Sequence, residues 1–331
     1  MRPISRTLSF VATVIALGAL VACHSERDQR LPSIAVQATA PTSTTSSAWG
    51  YDTATAMTAR YADTTGHCPA SGPVFRCSGI LFRATTNPAG THAWDPSPQA
   101  ITSGGISFSF LRKDATFRSL ASSYTHGFVF YAYDHAPSGR TLPRALCAFP
   151  LDSGTTGRAK AGCGRQTGFS VPAPAKSEPC QTQNVTTSAG WVAHFNGLGG
   201  SGDVKRHGQC GFSLDSDATA AFDAAIGAMG SIGTWLNTLT NELRLATWQN
   251  GIGAQLPIES FFYTTAAGRL VAQLDQKDYE NTTGLKRPII KFTLPTTTAP
   301  ARFEYLPSDQ VITPPISTDP PIGSLKPIVV E

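Results

Sequence analysis

Six cysteines, Cys68, Cys77, Cys147, Cys163, Cys180 and Cys210, constrain the fold of this chain more than any other feature. An even set in an exported chain reads as disulfides, which staple segments that a small core could not hold alone. Short separations favour Cys68–Cys77, Cys147–Cys163 and Cys180–Cys210. The competing reading is a metal site. However, C-x-x-C and H-x-x-x-H are both missing from the sequence, and His67, His194 and His207 stand singly, so no metal is expected. Thirty Gly and 24 Pro impose many turns and short elements, which favours a β-rich or mixed α+β body.

The N-terminal segment points to export. Arg2 and Arg6 precede an apolar run from Phe10 to Val21, and Ala22-Cys23 follows at once. This is the layout of a secretory signal, and the run is too short to span a bilayer, which takes ~20 residues. Leu20-Val21-Ala22-Cys23 resembles a bacterial lipobox, in which the cysteine is acylated after cleavage. Ordinary cleavage with Cys23 incidental is the alternative. His24 after Cys23 leans toward the outer membrane, so the chain is expected to be an outer-membrane lipoprotein or secreted, touching the membrane through a lipid anchor only. The expected organisation is a signal peptide over 1–22, a lipidated cysteine and flexible tether over 23–47, one domain over 48–310 and a Pro-rich tail over 311–331. Ala40-Pro41-Thr42-Ser43-Thr44-Thr45-Ser46-Ser47 gives the tether its character.

Charge narrows the partners. The net charge of +4 falls to about +2 once Arg2 and Arg6 are removed with the leader, and no run of five Lys or Arg occurs. Nucleic-acid binding by phosphate neutralisation is therefore not expected. Charged residues are 15% and apolar ones 41%, a balance that suits a packed core rather than a disordered chain or a coiled coil.

Periodicity places a helix over 49–61 and strands over 80–83, 105–111, 128–133 and 144–149. Residues 150–184, rich in Gly, Ser, Thr and Pro, read as a disulfide-stapled insertion. Helical spacing returns over 185–195 and 217–229. The segment 235–248 reads either as a helix from Trp235 or as a strand that opens at Glu242 with Leu243 and Leu245 inward. A strand over 258–263, a helix over 268–279 and a strand over 288–294 follow, and the chain from Pro295 onward reads as extended. Gly197-Leu198-Gly199-Gly200-Ser201-Gly202 has the letters of a dinucleotide loop, but it follows no strand and opens no helix.

No nucleophile elbow, H-E-x-x-H or Walker loop is present. What stands out is a set of polar residues embedded in apolar strands. Arg83 closes Ile80-Leu81-Phe82-Arg83. A guanidinium at the end of a buried strand costs free energy unless it meets an anion, and phosphate suits its fork; an ion pair with Asp95 or solvent exposure is the plainer alternative. Ser107 and Ser109 share one face of the next strand, entered over Gly104-Gly105, while Ile106, Phe108 and Phe110 take the other. Asn241 and Glu242 would stand at an entrance, with Glu259 as the competing acid. Phe110, Trp248 and Phe262 either stack on a ligand ring or fill the core.

The order of these blocks resembles the halovibrin-like secreted bacterial proteins: Cys77-Ser-Gly-Ile-Leu-Phe-Arg83-Ala-Thr, Ala93-Trp-Asp-Pro-Ser-Pro98, Gly104-Gly-Ile-Ser-Phe-Ser109, Leu146-Cys-Ala-Phe-Pro150, Gly208-Gln-Cys-Gly211 and Asn241-Glu-Leu-Arg-Leu245. Leu256-Pro-Ile-Glu-Ser-Phe-Phe-Tyr263 and Arg287-Pro-Ile-Ile-Lys-Phe-Thr-Leu-Pro295 fit the same pattern, so that the resemblance spans about 48–310.

The resemblance implies NAD consumption by an ADP-ribosyltransferase or NAD glycohydrolase. It also implies an α+β fold in which two small packed antiparallel sheets with flanking helices surround an NAD cleft. NAD is the substrate, no cofactor is needed, and a protein acceptor is a possible partner. Arg83 looks like the arginine of the Arg–Ser–Glu class, Ser107 with Ser109 like its serine strand and Glu242 like its acid, with Gly105 and Trp248 lining the substrate. The sequence departs from the Glu-x-Glu or Gln-x-Glu pair used to modify arginine, because Thr240 stands two residues before Glu242. That departure favours hydrolysis of NAD to nicotinamide and ADP-ribose. The rival expectations are a cell-surface binding lipoprotein without catalysis and a hydrolase acting on the cell wall.

Overall fold

The computed structural model describes residues 48–64, 78–85, 92–95, 106–130, 144–152, 180–199, 205, 208–214, 224–229, 239–246 and 258–314. The expected leader, Cys23, the tether, Cys68–Cys77, Cys163, Gly105 and Trp248 lie outside them. So does the tail beyond 314.

The strands are β1 (Ile80–Thr85), β2 (Ile106–Leu111), β3 (His126–Phe130), β4 (Arg144–Phe149), β5 (Phe212–Ser213), β6 (Glu242–Ala246), β7 (Ile258–Tyr263), β8 (Ile289–Thr293) and β9 (Arg302–Tyr305). The longer helices are α1 (Ala48–Ala62), α2 (Ser188–Gly197) and α3 (Ala266–Thr283). The fold is a mixed α+β arrangement. Its strands form one hydrogen-bonded order, β5-β4-β6-β2-β1-β3-β7-β8-β9, antiparallel except for β7 and β8. Where two separate sheets are expected from the resemblance, the hydrogen bonding is continuous, because β2 belongs to both halves. Its residues Ser109–Leu111 pair with β1, and its residues Ile106–Phe108 pair with β6.

Strand alternation sorts the apolar side chains into two cores. Leu81, Ile106, Phe108, Phe110, Leu243 and Leu245 join one, which takes in Trp191 of α2 and Ala272 and Tyr279 of α3. Ile80, Phe82, Leu111 and Phe262 join the other, under Ala54, Met57 and Tyr61 of α1. The three- and four-residue spacing of those α1 positions is why this segment is a helix and not a strand. Phe82, Phe262 and Phe292 form the centre of the second core, with ring centroids 4.5 to 5.8 Å apart. Phe110 and Phe262 are therefore core residues.

The ends of elements follow local chemistry. Thr187 caps α2 by accepting from Gly190 N at 3.1 Å, so this helix begins at Ser188 rather than at Val185. Thr265 caps α3 in the same way, and Gly284, at φ +73°, closes it in the left-handed conformation that glycine adopts without penalty. The helix α3 is the crossover that a parallel β7–β8 pair requires. No helix among the described residues is long and apolar enough to cross a membrane.

The C-terminal stretch differs from the sequence reading. Past Pro295 the chain is not simply extended, because Arg302–Tyr305 pairs along β8 as β9. Asp309 is then buried between the Tyr263 hydroxyl and Arg269, and Ile312 is also buried. The alternating Arg302-Phe303-Glu304-Tyr305 was the available signal. The Cys180–Cys210 bridge is formed, with Cα atoms 4.9 Å apart, and Trp191 stacks on Phe212 beside it. Cys147 is also disulfide-bonded.

Gly127 of β3 faces Ala84 of β1, and a Cβ at Gly127 would lie 2.0 Å from the Arg83 carbonyl oxygen and 3.0 Å from the Ala84 Cα. Both neighbours are backbone and cannot turn aside, so Gly127→Ala is expected to lower stability by about 1–3 kcal/mol. Gly197→Ala, where a Cβ meets nothing within 4 Å, is the control. Equal urea midpoints for the two variants would refute the close approach.

Asp275 of α3 is 2% exposed, and no donor reaches its Oδ1 among the described residues. Burial, and secondarily the charge of Asp278, push its pKa up to about 7. The folded value lies above the ordinary 3.8, so this carboxyl contributes stability that is complete below 3.8 and is lost as pH rises through about 7. Thermal unfolding should show the wild type losing Tm across that window relative to Asp275→Asn; parallel pH profiles would exclude it.

Candidate functional site

The site forms where β1 and β2 part. Beyond the Phe82–Ser109 pair, Arg83, Ala84 and Thr85 of β1 pair only with β3, while Phe108, Ser107 and Ile106 of β2 pair only with β6. Arg83 alternates with Phe82 and so leaves β1 on the face of Leu81. Its Nη1 crosses the parting and donates to the Ser107 main-chain carbonyl at 2.9 Å. Burial pulls the Arg83 pKa below the usual arginine value, and the nearby Tyr124, Glu242 and Asp152 oppose that fall.

On β6 the strand reading of 242–246 holds. Leu243 and Leu245 enter the core, so Glu242 and Arg244 share the opposite face. The antiparallel register sets Ser107 directly across from Arg244, with Glu242 on the diagonal. The Ser107 hydroxyl donates to Glu242 Oε1. It accepts in turn from Arg244 Nη1 at 2.6 Å, and that nitrogen lies 3.7 Å from the same carboxylate oxygen. Glu242 is 1% exposed and Arg244 3%. The result is a serine hydroxyl held between an acid and a guanidinium, with a second guanidinium bridging the main chain beside it. Among the described residues, no group of three or more His, Cys, Asp or Glu could hold a metal ion.

Of the residues singled out in the sequence, Arg83, Ser107 and Glu242 are thus brought together. Ser109 takes a different partner: its hydroxyl donates to the Asn241 carbonyl at 3.3 Å. Asn241 does not stand at an entrance. It is buried, and its side-chain amide accepts from Phe110 N and donates to Phe110 O, both at 2.8 Å. An amide side chain thereby continues the β2–β6 ladder beyond the Phe108–Leu243 pair and fixes the register on which the Ser107–Glu242 contact depends.

Glu259 is elsewhere. The register of β3 and β7 shifts there, with Val129 opposite Ser260 and Phe130 opposite Ile258, so Glu259 is the extra residue of a bulge. It is fully buried and pairs with Arg60 of α1 at 2.5 Å. Three strands separate β7 from β6, a lateral distance of roughly 19 Å at ~4.8 Å per strand. Where Asp95 is the plainer expectation for Arg83, Nη1 reaches the Ser107 carbonyl, and the Asp95 loop is pinned to α3, where Trp94 Nε1 donates to Asp278 at 2.8 Å and His92 Nδ1 lies 2.7 Å from the same carboxylate oxygen.

Sequence reasoning missed Arg244 and the true role of Asn241. Both stand in Asn241-Glu-Leu-Arg-Leu245, and the period of two puts Arg244 on the same face as Glu242, so that signal was present. No protein-family model matches the chain, and no curated protein matches it significantly.

Proposed function

We propose that this chain is an exported, lipid-anchored or secreted enzyme of the halovibrin-like kind that cleaves the nicotinamide–ribose bond of NAD, chiefly by hydrolysis. The single observation that carries this reading is the chain of contacts from Arg83 on β1, across the parting to the Ser107 carbonyl on β2, and from the Ser107 hydroxyl to Glu242 on β6. In this reading the parting is the mouth of the NAD cleft. The two halves of the strand order, joined by β2, then correspond to the two sheets of an ADP-ribosyltransferase-like fold.

The chemistry follows from charge. As the bond from ribose C1′ to the nicotinamide nitrogen breaks, its electron pair goes to the cationic ring and neutral nicotinamide leaves. Positive charge then develops on the ribose, as in other glycoside cleavages. Water adds to C1′ and loses a proton, giving ADP-ribose. Glu242 stabilises the oxocarbenium-like ribose beside its 2′-hydroxyl, Ser107 holds the carboxylate and orients that ribose, and Arg83 binds the diphosphate.

Thr240 supports hydrolysis over transfer to arginine. It occupies the position where a second acid or amide would engage an acceptor, it is 2% exposed, and its carbonyl accepts from Asp152 N at 2.7 Å. The test is to incubate the mature protein with NAD and quantify nicotinamide and ADP-ribose, with a thermal-shift titration in parallel. Release of both products, with NAD raising the Tm, is expected. A Tm shift without turnover would support a binding lipoprotein, and neither response would end the NAD reading.

A further inference from the structure

We propose that Arg244 is the positioning residue of this site: its guanidinium fixes the Ser107 hydroxyl as a donor to Glu242 and balances the carboxylate's charge. The inference rests on the reading of Glu242 as the acid, and it assigns a role to a residue that this reading does not need for contact with substrate.

Three observations carry it. First, a serine hydroxyl has one proton and rotates freely unless its lone pairs are engaged. Arg244 Nη1, at 2.6 Å, occupies the acceptor side of the Ser107 oxygen and leaves its proton for Glu242 Oε1. Second, the placement is dictated by the sheet rather than by a flexible loop. Ser107 and Arg244 are register partners, and Glu242 lies two residues from Arg244 on the same face. Third, both charged groups are buried, where an uncompensated carboxylate is costly and takes up a proton instead. A carboxylate that must stabilise cationic charge on a sugar has to remain ionised, and the guanidinium 3.7 Å away favours that form. Among the described residues, Ser107 on β2 and Arg83 on β1 also act on Glu242, with Tyr124 and Asp152 acting on Arg83. Arg83 adds positive charge, and its Nη1 donates to the main chain of Ser107.

The test separates this role from simple packing. Arg244→Gln is compared with Arg244→Lys and Ser107→Ala in the mature protein, each checked for folding by circular dichroism. The Glu242 carboxyl is followed by NMR titration of 13C-glutamate-labelled protein, with its signal assigned through Glu242→Gln. In Arg244→Gln, Glu242 is expected to titrate about one pH unit higher than in the wild type. The acid limb of the kcat profile for nicotinamide release should move by the same amount. At neutral pH, kcat should fall about tenfold or more while KM changes less than threefold. Arg244→Lys, which keeps the charge but not the fork, should restore the Glu242 titration and only part of kcat.

An unchanged Glu242 titration in Arg244→Gln overturns the proposal. If Arg244→Gln does not fold, the lysine variant decides: a Glu242 titration unmoved from the wild type together with reduced kcat supports the role, and full kcat overturns it. Should the wild type release no nicotinamide, the NAD reading falls, while the titration in Arg244→Gln or Arg244→Lys still tests the electrostatic half of the inference by itself.

Discussion

Glu242→Gln, assayed below the temperature at which it unfolds, is expected to reduce nicotinamide release from NAD by about 10²- to 10³-fold, with little change in KM. The glutamine side chain has the size of glutamate and still offers an oxygen to the Ser107 hydroxyl, so the ladder between Ser107 and Arg244 survives. What disappears is a full negative charge facing the ribose as it becomes cationic. One preorganised electrostatic contact of this kind, acting where water is excluded, is worth ~3–4 kcal/mol in the transition state. The loss should appear in kcat rather than in KM, because the charge it opposes exists only on the way to products. Glu259→Gln, assayed below the temperature at which it unfolds, is expected to keep the wild-type rate. Retention of the full rate by Glu242→Gln would remove this residue from the mechanism, and a selective loss in Glu259→Gln would transfer the role to β7.

The fold was legible wherever a residue's neighbours in sequence decide its surroundings. The strand at 258–263, the α1 segment and the strand option at 242 are all set by local spacing of apolar residues, and the structure has each of them. The Cys180–Cys210 bridge, too, follows from a short separation. What could not be read is whatever depends on pairing between distant strands. That β2 passes from β1 to β6 midway is a property of three strands together, and no local pattern encodes it. The bulge that points Glu259 at Arg60 is equally non-local, since it exists only relative to β3.

The site divides along the same line. Arg83, Ser107 and Glu242 could be named because each is a polar residue set within an otherwise apolar strand. Their convergence could not be derived, nor could the assignment of the Ser109 hydroxyl to the Asn241 carbonyl. Arg244 satisfied the same criterion as Arg83, and only its direct register with Ser107 reveals what it does.

Breaking the Arg60–Glu259 pair is the second large effect expected, and it should fall on stability alone. The pair joins α1 to the bulge of β7, and both side chains are withdrawn from water. Removing one partner leaves a buried charge without compensation, which typically costs about 3–5 kcal/mol. Arg60→Leu and Glu259→Leu should each lower the free energy of unfolding by an amount in that range, measured by urea denaturation at constant m-value. The double variant should recover most of the loss, because the desolvation cost of two ions disappears together with their attraction. The coupling energy from the cycle isolates the pair from the packing of the new leucines. Arg60 Nε and Glu259 Oε1 have no hydrogen-bond partner among the described residues, so the pair leaves part of its polar capacity unsatisfied, and this is why its joint removal should cost little. Single variants within about 1 kcal/mol of the wild type would mean that water reaches these groups in solution. The helix would then be held on the sheet by Met57, Tyr61 and their aromatic neighbours without help from charge.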